Sequence, residues 1–159
     1  MTTVHRSAPA PLALAGFFAA VAAVAVVGSL AATRSRDVYA ALAQPPWAPP
    51  SWLFGPVWTV LYILIAVSGW LFWRAPGTRA GFAWYAAGLV LNAAWTPLFF
   101  AAGAYTLALA EIVLLDIVIA GTVAVFRRRS KTAAALQLPY LAWTLFATAL
   151  NAAIIVLNP

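Results

Sequence analysis

The chain has 159 residues, of which 65% are hydrophobic and 8% charged, against about a quarter charged in an ordinary soluble domain. With a mean hydropathy of +0.95, it reads as an all-α integral membrane protein. Cysteine is absent and the single histidine is His5, which excludes disulfides, thiol catalysis, iron–sulfur and zinc–thiolate centres, Ser–His–Asp catalysis and His or Cys ligation of a haem iron. No metal site and no resident cofactor is expected. The net charge of +6 comes from basic residues between apolar runs, the placement that membrane topology imposes. The basic, aromatic-interleaved stripe of a nucleic-acid surface is missing, so nucleic acid is not an expected partner.

Five apolar runs reach the ~20 residues that a helix needs to cross a bilayer: 10–33, 51–73, 82–102, 106–126 and 133–157. They predict a five-transmembrane-helix bundle forming one membrane domain over residues 1–159. The strict alternation of a lipid-facing barrel is lacking. The first run has a longer apolar core than a signal peptide and is preceded by Arg6 alone among charged side chains, so it reads as a retained helix. The connection 34–50 ends Gln44-Pro45-Pro46-Trp47-Ala48-Pro49-Pro50. Four prolines in six residues cannot form a regular helix, and they predict a stiff, extended lid that presents Trp47.

In the second span Phe54, Trp58 and Tyr62 form one stripe at i, i+4, i+8. In the third, Gly88, Asn92, Trp95 and Phe99 share a face, as Tyr140, Trp143, Ala147 and Asn151 do in the fifth. In the fourth, Glu111 and Asp116 are five apart, about 140° around the helix, so they cannot act as a catalytic carboxylate pair. Asp116 is expected inward, and Glu111 either pairs with a neighbour or faces the loop. Pro56, Pro97 and Pro139 predict three loosened helices around a cavity. The short later loops predict that successive helices pack as antiparallel neighbours.

At a rise of ~1.5 Å per residue, Trp58 and Trp95 lie about 10 Å below the outer ends of their spans, Asn92 and Asp116 about 15 Å, Asn151 about 9 Å and Trp143 about 21 Å. These groups gather in the half of the bundle under the 34–50 loop. Trp47, Trp52, Trp70, Trp73 and Trp84 suit the aromatic belt at the membrane surface. Arg6, Arg74, Arg79, Arg127, Arg128, Arg129 and Lys131 fall on one side and Arg34 and Arg36 on the other. That excess predicts a cytoplasmic N-terminus, with 127–131 as the topology anchor.

The blocks Tyr39-x-x-Leu42-x-x-Pro45-x-Trp47-x-Pro49-Pro50, Pro56-Val57-Trp58-Thr59-x-Leu61-Tyr62, Asn92-x-x-Trp95-Thr96-Pro97 and Pro139-Tyr140-Leu141-x-Trp143-x-x-Phe146-Ala147-x-x-Leu150-Asn151 resemble the TspO/MBR family. These are the tryptophan-rich sensory proteins related to the mitochondrial translocator protein, or peripheral benzodiazepine receptor. The resemblance implies a homodimer of five-helix bundles in a bacterial cell membrane. Its pocket residues fall on Phe54, Trp58, Tyr62, Asn92, Trp95 and Trp143, with Trp47 and Pro49 as lid and Asp116 as the acidic residue of the fourth helix. Implied partners are porphyrin or haem-type ligands, sterols, benzodiazepine-type compounds and membrane lipid. The family often carries Lys where Gln44 stands, so Arg34 or Arg36 would have to meet an anionic ligand group. The C-terminus lacks the Tyr and Lys or Arg of the animal sterol motif, and reversed patterns occur only at Arg36-x-x-Tyr39-x-x-Leu42 and around Arg79 and Tyr85.

The leading functional expectation is a sensory or ligand-binding protein for tetrapyrroles that transports, sequesters or responds to them. The alternatives are a Trp-dependent, photo-oxidative porphyrin-degrading enzyme and a small-solute transporter. Small residues Ala83, Ala87 and Gly88 are candidates for the contact between two copies.

Overall fold

The computed structural model describes residues 10–33, 35–77 and 80–159, so His5, Arg6, Arg34 and Arg79 lie outside the described residues. Helix α1 spans Ala10–Ala31 and a short α2 spans Ser35–Ala41. A 3₁₀ turn, Ser51–Leu53, leads into α3, Phe54–Arg74. Helix α4, Gly81–Thr96, runs into a π turn at Pro97–Ala101, and α5 (Tyr105–Arg127) and α6 (Lys131–Leu157) complete the chain. The described residues contain no strand. Four segments are long and apolar enough to cross a membrane: α1, Ser51–Arg74, α5 and α6. Helix α4 counts 16 residues before Pro97.

The connection 34–50 is not wholly extended. Its first part is α2, whose Asp37 lies in the first turn, where the helix dipole favours a negative charge. The proline-rich remainder, 42–50, is non-helical, as its missing N–H groups require. The internal prolines also act differently from one another. Pro56 is the third residue of α3, where its absent N–H would have no partner within the helix, so it starts the helix rather than kinking it. Pro97 shifts the register: Ala102 N donates to Pro97 O at 2.9 Å and Ala104 N to Leu98 O at 3.0 Å. Gly103, at φ +62°, supplies the left-handed residue that ends this turn. Pro139 alone lies deep inside a continuous helix, α6.

Packing pairs join α1 to α3, α3 to α6, α6 to α5, α5 to α4 and α4 back to α1. The five long elements therefore close a ring in the order α1–α3–α6–α5–α4. This corrects the expectation that successive helices are always neighbours. Helices α3 and α4 are consecutive, but α1 lies between them, with Phe17 stacked on Phe82 at 5.9 Å and edge-on to Tyr85 at 6.0 Å. Tyr85 Oη crosses to donate to Ile65 O at 3.0 Å. The core at this end is aromatic, with Phe72 lying flat on Phe126 at 3.9 Å between centroids.

Two polar features fix the helices that carry the site. Ser130 caps α6 by accepting from Ala133 N at 3.1 Å, the usual role of Ser at an N-cap. Gln137 is buried and its Nε2 donates to Ser68 Oγ, which donates to Ala133 O. In an apolar bundle such a closed chain holds α3 to α6 at one register.

Candidate ligand pocket

Helix α1 is bound to the bundle through Phe17, Val21 and Val24, which pack inward. Beyond Val24 the side facing the chamber is Ala25, Gly28 and Ser29, followed by Ala32 just past the helix, all too small to fill the space against α3 and α4. A cavity of about 640 Å³ opens there under α2, within the usual 300–1,000 Å³ range for small-ligand sites. Phe54, Trp58, Thr59 and Tyr62 of α3 form one wall, and Trp95, Thr96 and Phe100 form another. From Phe54 to Tyr62 the wall descends about 12 Å.

The walls are aromatic and mutually braced. Trp58 lies 5.2 Å from Tyr62, and Trp95 stacks on Phe99 at 5.0 Å. Phe54 sits edge-on to Tyr39 at 5.4 Å and to Trp143 at 5.8 Å. Behind Phe54, Trp58 and Trp95 lies a second void of about 20 Å³, bordered also by Asn92, Trp143, Thr144 and Ala147. It has room for about one water molecule. Three ring systems thus divide the interior into a large chamber beside α1 and a small one at the centre of the ring.

The expected site residues fall into distinct places. Phe54, Trp58, Tyr62 and Trp95 line the large chamber. Asn92, Trp143 and Ala147 line the small one. Trp143 meets Phe54, the first residue of α3, so it lies near the loop end rather than deep below it. The reason is that α6 overshoots α3, and its Asn158 bonds both backbone groups of Ala43 at 2.9 and 3.0 Å. Trp47 is half exposed and packs edge-on against Phe146 at 5.7 Å, so it covers α6 and not the large chamber. Pro49 contributes its carbonyl, which accepts from Tyr39 Oη at 3.0 Å. Burial pushes the Tyr39 hydroxyl above its ordinary value of 10.0.

Phe99 is buried beneath Trp95. Asp116 faces inward as expected and accepts from Thr148 Oγ1 at 2.7 Å. Asn151 donates to Tyr105 O at 3.1 Å. Neither touches the large chamber. Both oxygens of Glu111 are buried without a hydrogen-bond partner among the described residues, and so are Asp116 Oδ1, Asn151 Oδ1 and the indole nitrogen Nε1 of Trp95. Gly88 is buried against Val118, which removes it from any outer contact surface, while Ala83 and Ala87 stay exposed. Tyr39 and Leu42 pack into the protein, so the reversed sterol pattern beginning at Arg36 presents no stripe to lipid.

The chamber also includes residues that the sequence reading did not assign to the pocket: Gly28 and Ser29 on α1, and Trp52, Thr59, Thr96 and Phe100. Helix α1 is apolar all round and has no marked face, so periodicity could not show which side borders a cavity. Trp52 resembled a belt residue. Arg36 and Tyr39, spaced i, i+3 on α2, carried the one signal that α2 would present a face to the site.

The TspO/MBR family model matches residues 17–157. The chain is 39% identical over 153 residues to the tryptophan-rich protein TspO of Archaeoglobus fulgidus, covering 92% of this chain and 97% of that one. It is 36% identical over 135 residues to the tryptophan-rich sensory protein of Cereibacter sphaeroides, covering 85% and 84%. It is 38% identical over 118 residues to the human translocator protein, covering 71% and 70%. Residues 17–157 include most of α1, the other three long apolar segments and every residue of the aromatic wall, and the chain is an integral membrane protein that belongs to the TspO/MBR family.

Proposed function

We propose that this protein binds flat, mostly apolar ligands of the porphyrin class, and other hydrophobic compounds of similar shape, in the chamber between α1, α3 and α4. The observation that carries this reading is the wall of Trp58 and Trp95 beside about 640 Å³ of space. Indole faces supply stacking area for a flat ring. The relatives' names, sensory protein and translocator protein, fit a ligand-responsive or ligand-moving role in tetrapyrrole transport, sequestration or stress regulation. In this reading α4 and its π turn make the fifth membrane span. Arg74, Arg127, Arg128 and Lys131 mark the cytoplasmic side of a bacterial cell membrane, and the exposed Ala83 and Ala87 of α4 meet a second copy.

The test is a titration of the protein in lipid nanodiscs with protoporphyrin, read by intrinsic Trp fluorescence. Saturable quenching supports the reading, and purely linear quenching, equal to that of free indole, refutes it. The same wall would place Trp58 and Trp95 against a bound macrocycle as electron donors, which keeps photo-oxidative degradation as a second reading. Under illumination, light-dependent loss of porphyrin absorption that collapses in Trp58→Phe and Trp95→Phe favours the enzyme, and stable reversible binding favours the sensor. Uptake into proteoliposomes would mark a transporter.

A further inference from the structure

The large chamber is electrically one-sided. Among the described residues that line it, Arg36 is the one that is charged. It sits on α2, at the mouth, while the deep wall is Trp58, Tyr62 and Trp95. Arg36 is solvent-exposed and makes no hydrogen bond or ion pair with another described side chain. Its neighbour Asp37 is absent from the lining. Helix α2 is held in place independently of Arg36: Tyr39, one turn along, is buried, donates to Pro49 O and packs on Phe54.

The floor cannot take a charge. Moving an anion from water into an apolar, aromatic wall without a countercharge costs several kcal/mol. A guanidinium at the mouth attracts an anionic oxygen group and repels a cationic one, and its planar fork matches a carboxylate in a bidentate manner. The spacing suits one molecule: about 12 Å of aromatic wall from Phe54 to Tyr62 for a flat body, then one positive group where the wall meets solvent.

We infer that Arg36 is the specificity-determining residue of the chamber, selecting amphiphilic ligands that carry a carboxylate at one edge of a flat apolar body and orienting that edge toward α2. This rests on the porphyrin reading above and adds ligand polarity and direction to it. No covalent step is involved. The expected discrimination is modest, because an exposed ion pair in water contributes little and is screened by salt.

The test uses the full-length protein in nanodiscs of neutral phosphatidylcholine, titrated with protoporphyrin IX and with its dimethyl ester, which has the same ring and no charge. For the unchanged protein the diacid should bind about fivefold tighter than for Arg36→Gln, the scale of one exposed ion pair, while the diester binds both proteins equally. Arg36→Lys should recover part of the diacid preference, and raising the salt should erase it. A diacid-to-diester ratio that is the same in the unchanged protein and Arg36→Gln overturns the inference and leaves porphyrin binding standing. Equal weakening of both ligands in Arg36→Gln also overturns it, since Arg36 would then serve the fold of α2 or a lipid headgroup. If the unchanged protein binds neither compound, the porphyrin reading fails and this one falls with it.

Discussion

Asn92 is predicted to support the pocket without touching its ligand. It is buried on α4 and borders the small void rather than the large chamber. Tyr62 Oη donates to Asn92 Oδ1 at 3.1 Å, and Asn92 Nδ2 donates to Tyr140 Oη at 3.0 Å. One side chain thereby ties α3, α4 and α6, and it holds the Tyr62 ring in the wall of the large chamber. Interhelical hydrogen bonds in membranes average ~0.6 kcal/mol and reach ~1.7. Asn92→Ala removes two, so a loss of about 1–3 kcal/mol of stability is expected. Tyr62→Phe removes one of the same two, so the double variant should fall short of the sum by about 0.6–1.7 kcal/mol. The assay is a double-mutant cycle on unfolding in mild detergent, paired with protoporphyrin titration of each variant. Porphyrin affinity should drop in Asn92→Ala and drop no further when Tyr62→Phe is added. Additivity within about 0.5 kcal/mol, in stability and in binding alike, would refute the network.

Other consequences are as specific. A Cβ at Gly69 would lie 2.8 Å from Phe17 Cδ1 and from Tyr85 Cζ, so Gly69→Ala should cost about 1–3 kcal/mol as an overpacked contact and loosen α1. A melting curve identical to that of the unchanged protein would contradict this. Asn158→Ala breaks both bonds to Ala43 and should speed proteolysis within 42–50 with little change in melting, whereas an unchanged cleavage rate would show that α6 does not hold the loop. Because burial raises the Tyr39 hydroxyl above its ordinary value of 10.0, its contribution to stability is complete below pH 10 and is lost as pH rises through the raised value. The loop should therefore resist protease equally from pH 7 to 9 and open above about pH 10, a step that Tyr39→Phe abolishes.

Most of the helical plan was readable in the residues. The apolar runs fell within a few residues of α1, α3, α5 and α6, because a helix in lipid must satisfy its own backbone and so announces itself by length. The run 82–102 hid the change of register at Pro97, since a π turn keeps the same apolar composition as the helix that it interrupts. The residues of the stripe Phe54, Trp58, Tyr62, with Trp95, line one wall of the large cavity. The opposite wall was not legible. Where every face of α1 is apolar, its missing volume at Ala25, Gly28 and Ser29 becomes visible only when α3 and α4 are set against it. Depth arithmetic put Trp143 far from the loop because it assumed that all helices end at one level, and α6 runs past α3 to reach Ala43.

The most direct test of a stacking pocket at this end of the bundle is a matched pair of variants, Trp95→Ala and Trp70→Ala, titrated with protoporphyrin under identical conditions. Trp95 stands in the chamber wall. Trp70 lies toward the other end of α3, donating to Ala10 O at 3.1 Å with the Arg74 guanidinium 4.9 Å from its ring. Loss of one stacking platform is worth about 1–3 kcal/mol, so Trp95→Ala should weaken binding roughly tenfold or more and Trp70→Ala by less than about twofold. Equal affinities for the two variants would contradict the account and place the bound porphyrin elsewhere on the protein or in the surrounding lipid.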